Sequence, residues 1–224
     1  MKLSNVKAKV FLVEDHPLTR KGLIGAIGTQ DDLEVCGEAE GWREAMAMIG
    51  SLRPDIVVLD LNLKDGSGWE LIKHAEACGL SVPVLVLSVC DEEVYAARVL
   101  RSGAKGYLMK DTPVDGILEA IRKVLSGHIA VSNEVSSHLI LSATRATGKT
   151  GDPSELDTLS DRELQVFELL RRGFGTSEIA EQIGVNYKTV STYKARLMTK
   201  MGVRTTPDLM ALFKKLEFPA SSNL

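Results

Sequence analysis

Cysteine, aromatic rings and long apolar runs are all scarce in this sequence. Its three cysteines, Cys36, Cys78 and Cys90, are an odd number set far apart with no CxxC or Cys/His cluster. That excludes a disulfide scaffold and reads as reduced thiols in a cytoplasmic protein. The longest mostly apolar stretches, 56–63 and 82–89, fall far short of the ~20 residues that cross a bilayer. An N-terminal apolar run, Val10 to Val13, ends in Glu14-Asp15, so no signal peptide and no membrane partner are expected. There is no strong excess of one charge either: 27 Lys+Arg stand against 30 Asp+Glu, a net −3, which excludes a uniformly basic coat protein for nucleic acid. What is left is an ordinary globular composition, 44% hydrophobic and 25% charged over 224 residues, enough for one large domain or two small ones.

From residue 9 to about 127, short β-branched runs (9–13, 33–36, 55–60, 82–88 and 106–109) alternate with segments of helical period (17–29, 42–52, 67–78, 92–102 and 113–126). Five strands alternating with five helices imply a parallel sheet covered on both faces, and the near-continuous apolar third and fourth runs are its centre. Residues 128–155 gain Ser, Thr and Gly and read as a linker, with a short helix in part of 135–143. Beyond it, Ser160-x-x-Glu163 is a capping box opening a helix over 162–173. Thr176 caps a helix over 177–183, Asn186 caps 187–201, and Thr206-Pro207 opens the last one through Leu216. The short Gly184-Val-Asn turn makes the second and third of these four helices a helix-turn-helix. The division expected is therefore 1–127, a linker 128–155, and 156–224.

Ligands of a doubly wound sheet gather at the carboxyl ends of its strands. Here the first run ends in Glu14-Asp15, the third in Asp60 and the fourth in Ser88, and Lys110 follows the fifth. Three carboxylates on one rim repel one another unless a cation relieves them. Mg²⁺ suits such a site because it prefers oxygen ligands, waters and a phosphate oxygen. Asp15 and Asp60 are the expected side-chain ligands, with Glu14 close by and the Asn62 carbonyl available. A carboxylate beside a metal is also a nucleophile toward phosphorus; Lys110 would pair with the transferred group and Ser88 would bond one of its oxygens. Taken singly, each of these residues is more often a cap or loop residue. Their arrival on one rim is what carries the reading.

Charge counted by segment is uneven: −4 over 1–125, −1 over 126–155 and +2 over 156–224. Within 182–207 there is no acid, while Lys188, Lys194, Arg196, Lys200 and Arg204 contribute +5, which suits a polyanion. On the 187–201 helix, Val190, Leu197 and Met201 share one face with Tyr193 at its edge. Lys188, Ser191, Thr192, Ala195 and Thr199 form the outward face, small and polar enough to enter the major groove of double-stranded DNA. Lys194, Arg196 and Lys200 flank it toward phosphates. A +5 helix by itself is as often a solvated face.

The motifs Val13-Glu14-Asp15-His16-Pro17, Val58-Leu59-Asp60-Leu61-Asn62, Val86-Leu87-Ser88 and Tyr107-Leu108-Met109-Lys110-Asp111 resemble those of the receiver domain of bacterial response regulators. The run from Leu159 to Val203 is similar to the LuxR-type helix-turn-helix, and the two in order resemble the NarL/FixJ family of transcription regulators. The phrase Lys188-Thr-Val-Ser-Thr-Tyr-Lys194 resembles the recognition helices of BvgA/EvgA-like members. The resemblance implies a CheY-like α/β domain, strand order 2-1-3-4-5, with an all-α four-helix DNA-binding domain. It further implies Asp60 as phosphoacceptor, Glu14 and Asp15 as the Mg²⁺ pair, and Ser88 and Tyr107 as switch residues, Tyr107 being otherwise an ordinary sheet-edge tyrosine. A sensor histidine kinase, promoter DNA, RNA polymerase and a second copy of the chain on phosphorylation are the partners it implies. Two departures stand out. Lys64 replaces the usual proline four residues after the phosphoacceptor, and Asp111 follows Lys110, so that peptide is expected trans. A phosphohydrolase of the haloacid-dehalogenase kind is the rival, but it wants a second acid where this chain has Asn62, and a cap that is missing.

Overall fold

The computed structural model describes residues 6–137 and 155–215, apart from 64, 91 and 134. The chain divides into two compact units, 1–149 and 150–224. In the first, β1 (Ala8–Val13), β2 (Leu33–Ala39), β3 (Ile56–Asp60), β4 (Val84–Ser88) and β5 (Gly106–Met109) form a parallel sheet. Its order is β2-β1-β3-β4-β5, as expected. All five residues of β3 and all five of β4 are buried, because helices cover both faces of these central strands. The helices are α1 (Pro17–Gly28), α2 (Trp42–Leu52), α3 (Gly68–Ala77), α4 (Glu92–Arg101) and α5 (Val114–Leu125). Val10, Leu12, Ile56, Val58, Leu85 and Leu87 alternate along the strands onto one face, where Leu23 and Ile27 of α1 and Ile117, Ile121 and Val124 of α5 pack. Each such side chain contributes about 1.5–3 kcal/mol by leaving water.

Edge strand β2 runs three residues past its expected end. Gly37 and Glu38 broke the apolar pattern that marks a strand, but an edge strand needs only one covered face. Between β3 and α3 the chain makes a small antiparallel ribbon, Asn62–Leu63 against Gly66–Ser67. α2 begins after Gly41, which has no side chain to cap it, and the Asp65 carboxylate accepts the Trp42 and Arg43 N–H groups instead (3.1 and 3.3 Å). At the start of α3, a Cβ on Gly68 would overlap the Asp60 carbonyl oxygen, so only glycine lets the helix start this close to β3. Lys64 lies outside the described residues. No peptide bond among the described residues is cis, so Lys110–Asp111 is trans as expected.

The segment expected to begin the linker at 128 packs instead onto the first unit. Ala130 bridges Gly106 in parallel register, accepting from Tyr107 N–H (2.8 Å) and donating to the Lys105 carbonyl (3.0 Å). Ser132 N–H donates to Glu92 Oε1 (2.7 Å), and Ala130 and Val135 are 2% and 3% exposed. Its apolar triplet Ile129-Ala-Val131 satisfies the open edge of β5, a role that the surrounding Ser and Asn obscured. Residues 138–143 of the short helix expected there lie outside the described residues.

The second unit opens with a 3₁₀ turn, Glu155–Thr158, followed by α6 (Asp161–Arg171), α7 (Thr176–Gln182), α8 (Tyr187–Lys200) and α9 (Thr206–Lys215). The capping box forms as read: Ser160 Oγ accepts from Glu163 N–H (3.4 Å) and Glu163 Oε2 from Ser160 N–H (2.7 Å). The cap of α7 is Gly175 rather than Thr176, its N–H donating to Glu178 (2.6 Å). Gly184, at φ +64°, turns the chain from α7 toward α8. Leu164, Phe167, Ile179, Val190, Leu197, Leu209 and Phe213 make the core, with Phe167 and Phe213 edge to face at 5.0 Å. Leu216, the expected end of the last helix, lies outside the described residues.

Candidate functional site

Parallel strands deliver the predicted acidic residues to one rim. Glu14 and Asp15 follow β1, Asp60 ends β3, Ser88 ends β4 and Lys110 follows β5. All four of Glu14, Asp15, Asp60 and Ser88 are buried, at 2%, 5%, 2% and 0% exposure. Lys110 Nζ donates to Glu14 Oε2 (2.7 Å) and Asp60 Oδ2 (2.8 Å), and Asp60 Oδ1 accepts from Asn62 N–H (3.0 Å). The second Glu14 oxygen accepts from His16 N–H (3.0 Å). Asp15 is different: its Oδ1 is buried and outside the hydrogen-bond network, with His16 Nδ1 beside it at ion-pair distance (2.8 Å).

Asp60 titrates well above an ordinary carboxyl, at about 6. Burial is the main cause and Glu14 adds to it, against the opposing pull of Lys110 and the Asn62 N–H. Burial also works against the Lys110 charge, but Asp60 and Glu14 outweigh it and raise its pKa. Three buried carboxyls with one ammonium among them, and one oxygen outside the hydrogen-bond network, fit a divalent cation. Glu14, Asp15, His16 and Asp60 can each offer a ligand atom, all within 4.8 Å of one another. His16 was not singled out among the candidate ligands, although its place directly after Glu14-Asp15 was the available signal. Arg20 was missed as well. One turn into α1, it donates to the Glu14 carbonyl (2.6 Å) and pairs with Glu38 (3.0 Å) and Glu40 (2.7 Å), which holds the loop carrying both acids.

Ser88 Oγ accepts from Cys90 N–H (3.2 Å). Tyr107 is fully buried, and its hydroxyl donates to the Cys90 carbonyl (2.8 Å), so its ring is turned inward. The loop after β4 is thus held from both sides, by Ser88 and by Tyr107.

In the second unit, Asn186 Oδ1 accepts from Lys188 N–H (2.8 Å) and starts α8. Val190 and Leu197 are fully buried and Met201 nearly so. Lys188, Thr192, Ala195, Arg196 and Thr199 are exposed, and Ser191, Tyr193 and Lys194 are half-buried. Thr192 and Thr199 donate their hydroxyls to the Lys188 and Ala195 carbonyls (2.9 and 3.0 Å), which leaves them as acceptors toward solvent. Lys194 Nζ reaches Thr206 Oγ1 (3.2 Å). Lys200, exposed on the same helix, also has partners within the unit: its ammonium donates to Glu163 Oε2 (2.6 Å) and the Thr158 carbonyl (3.1 Å). The pattern of i,i+4 positions put Lys200 on the flank, and a partner 37 residues away has no local signature.

Residues 10–122 match the response regulator receiver domain, and residues 157–213 match bacterial regulatory proteins of the luxR family. The oxygen regulatory protein NreC of Staphylococcus aureus is 34% identical over 215 residues, covering 93% of this chain and 98% of that one. A LuxR-family two-component response regulator from Aurantimonas, 28% identical, covers 62% of this chain and 99% of its own at a TM-score of 0.57. RcsB of Salmonella enterica, in a structure with promoter DNA and the phosphomimetic BeF3⁻, shares the fold at 24% identity and a TM-score of 0.61. That match covers 94% of this chain and all of RcsB. Among the described residues, no helix is long and apolar enough to cross a membrane.

Proposed function

The chain belongs to the response regulators that join a receiver domain to a LuxR-type helix-turn-helix, in the NarL/FixJ manner, and on that premise we propose that it takes a phosphoryl group onto Asp60 and so controls promoter binding by α8. The observation that supports this best is the buried Asp60 carboxylate, bonded to Lys110 and gathered with the Glu14 and Asp15 carboxylates within 4.8 Å. An Asp60 oxygen attacks the phosphorus of a kinase phosphohistidine. The P–N bond breaks, and the imidazole leaves as its nitrogen takes a proton from solvent. Asp15, Asp60 and the Asn62 carbonyl would hold a divalent cation such as Mg²⁺, with Glu14 close by, and the cation would offset the charge gathering at the rim. Lys110, already bonded to Asp60, passes to a phosphoryl oxygen. Ser88 keeps its hydroxyl hydrogen for another, since its oxygen only accepts from Cys90. The new charge of about −2 biases the Ser88–Cys90–Tyr107 contacts between two arrangements, which is the switch.

For DNA, Lys188, Ser191, Thr192, Ala195 and Thr199 face the major groove with Tyr193 at the edge, and Lys194 and Arg196 meet phosphates. Lys200 is left to its bond with Glu163. A phosphorylated homodimer would set two α8 helices one DNA turn apart, ~34 Å. The functional division we adopt is 1–127 for the receiver, 128–155 for the connection, in which Ala130 pairs with β5 at Gly106, and 156–224 for the DNA-binding domain. The partners are a sensor histidine kinase and RNA polymerase at the promoter. The full chain incubated with labelled acetyl phosphate and MgCl₂ is expected to gain a hydroxylamine-labile label that Asp60→Asn does not; unchanged labelling of Asp60→Asn sinks the assignment. Beryllofluoride should raise the DNA affinity of the natural chain and leave that of Asp60→Asn unmoved.

A further inference from the structure

Residues 130–135 of the connection are gripped from two sides. On one side is β5: Tyr107 N–H donates to the Ala130 carbonyl (2.8 Å) and Ala130 N–H to the Lys105 carbonyl (3.0 Å). On the other is α4, whose first residue, Glu92, accepts the Ser132 N–H at 2.7 Å. A carboxylate acceptor makes such a bond stronger than a neutral one would. Ser132 in turn accepts at its hydroxyl from Val135 N–H (3.2 Å), which starts a helical turn and buries Val135. Both grips lead back to the loop after β4. Tyr107 is bonded at each end, by its N–H to the connection and by its hydroxyl to the Cys90 carbonyl, and Glu92 stands two residues beyond Cys90.

Resting on the reading of Asp60 as the phosphoacceptor, we propose that residues 130–135 are a strap that carries the switch out of the receiver: the Ser88–Cys90–Tyr107 contacts set how tightly Glu92 and β5 hold the strap, and the strap sets where the connection to the DNA-binding domain leaves the sheet. Satisfying the open edge of β5 needs only backbone pairing, which Ala130 supplies. It needs no acid from α4. Glu92 ties the strap to the helix that begins where the Cys90 loop ends, so a shift of that loop reaches Ser132 through a single side chain. The hold is also slight enough to be switched. The pairing with β5 is one isolated bridge, and segments held by a few hydrogen bonds at a sheet edge are the first to open.

Amide hydrogen exchange and DNA binding of the full chain, each with and without beryllofluoride and MgCl₂, test this. In the natural chain beryllofluoride should change exchange at the Ser132 amide about fivefold. Glu92→Ala should leave labelling by acetyl phosphate unchanged, which would show its receiver intact, and should shrink the beryllofluoride gain in DNA affinity about fivefold. Glu92→Gln keeps an acceptor oxygen for Ser132 and should retain most of the gain. An unmoved Ser132 amide in a chain whose DNA affinity rises overturns the strap and leaves Asp60 as the switch, and it decides the matter even if Glu92→Ala fails to fold. A full gain in Glu92→Ala overturns it too, as does equal loss in both Glu92 variants, because the effect then lies in the charge and not in the hold on Ser132. If beryllofluoride leaves the DNA affinity of the natural chain unmoved, the reading of Asp60 falls and the strap with it.

Discussion

Glu163 and Glu168 in the second unit are buried as deeply as Glu14, Asp15 and Asp60 in the first, at 3% and 1% exposure. Their surroundings differ. Glu163 accepts from Ser160 N–H and Lys200, and Glu168 accepts from Arg171 through both oxygens (2.9 and 2.6 Å). Burial still opposes the Glu163 charge, yet the bonds from Lys200 and Ser160 prevail and its pKa is lowered. In the first unit burial prevails: Asp60 is raised to about 6, and Asp15 keeps an oxygen outside the hydrogen-bond network. Buried acids completed by the protein's own donors are structural. Acids left incomplete hold free energy in reserve for a ligand, which on the proposed reading is a cation and a phosphoryl group.

Removing one acid of each kind should therefore move stability in opposite directions. Glu163→Ala uncaps α6 and frees Lys200, and because Lys200 is partly exposed and can hydrate, the expected cost is about 2–3 kcal/mol. Denaturation followed by circular dichroism measures it. Asp60→Asn should instead stabilise the first unit by roughly 1–3 kcal/mol at pH 7 in the presence of a chelator, since it removes a charge that the fold holds unwillingly. Both tryptophans, Trp42 and Trp69, lie in the first unit and report it alone. The pH dependence gives the sign independently. Asp60 binds its proton more tightly folded than unfolded, so the first unit loses stability as pH rises from about 4 through about 6. The lowered Glu163 contributes fully above the ordinary glutamate range and loses its contribution only as pH falls below it. Moving from pH 7 to pH 5 should strengthen the first unit and leave the second flat, and Asp60→Asn should erase the gain. A loss of stability in Asp60→Asn would break the comparison.

Most of this contrast was legible in the amino-acid sequence. Strand ends converge by topology alone, so Glu14, Asp15, Asp60, Ser88 and Lys110 could be placed on one rim before any coordinate. Helix starts were legible where a local side chain makes the cap, as at Ser160 and Asn186. What was hidden depends on partners distant along the chain: Asp65 capping α2, Lys200 reaching Glu163, and Ala130 adding to β5 beside Gly106. None of these pairs leaves a periodic trace. Composition also hid the pairing of Ala130, where Ser and Asn around a short apolar triplet resembled a linker. Gly106 tests that pairing. A Cβ there would stand 2.7 Å from both the Ala130 carbonyl oxygen and Leu85 Cδ1. Gly106→Ala should cost about 1 kcal/mol and speed hydrogen exchange at the Tyr107 and Ala130 amides; unchanged exchange would show that Ala130 does not hold the edge of β5.

The cations divide in the same way as the acids, and this yields the smallest effect expected. Lys200 is tied to a buried glutamate, whereas among the described residues Lys194 meets the hydroxyl of Thr206 at the start of α9. Exchanging a neutral hydroxyl for a phosphate oxygen is favourable for an ammonium, and exchanging a buried carboxylate is not. Lys194→Ala should thus weaken binding to specific and random DNA alike by well under 1 kcal/mol at physiological salt and lower the slope of log affinity against log salt by about one unit. Its folding stability should stay within about 0.5 kcal/mol of the natural chain. Lys200→Ala should do the reverse, losing stability with the salt slope unchanged, because an ammonium already neutralised by Glu163 releases no counterion on meeting DNA. Fluorescence anisotropy across a salt series reads both slopes. A fall of one unit in Lys200→Ala would return that lysine to the phosphate-contacting flank and leave Glu163 as an acid that DNA binding must uncover.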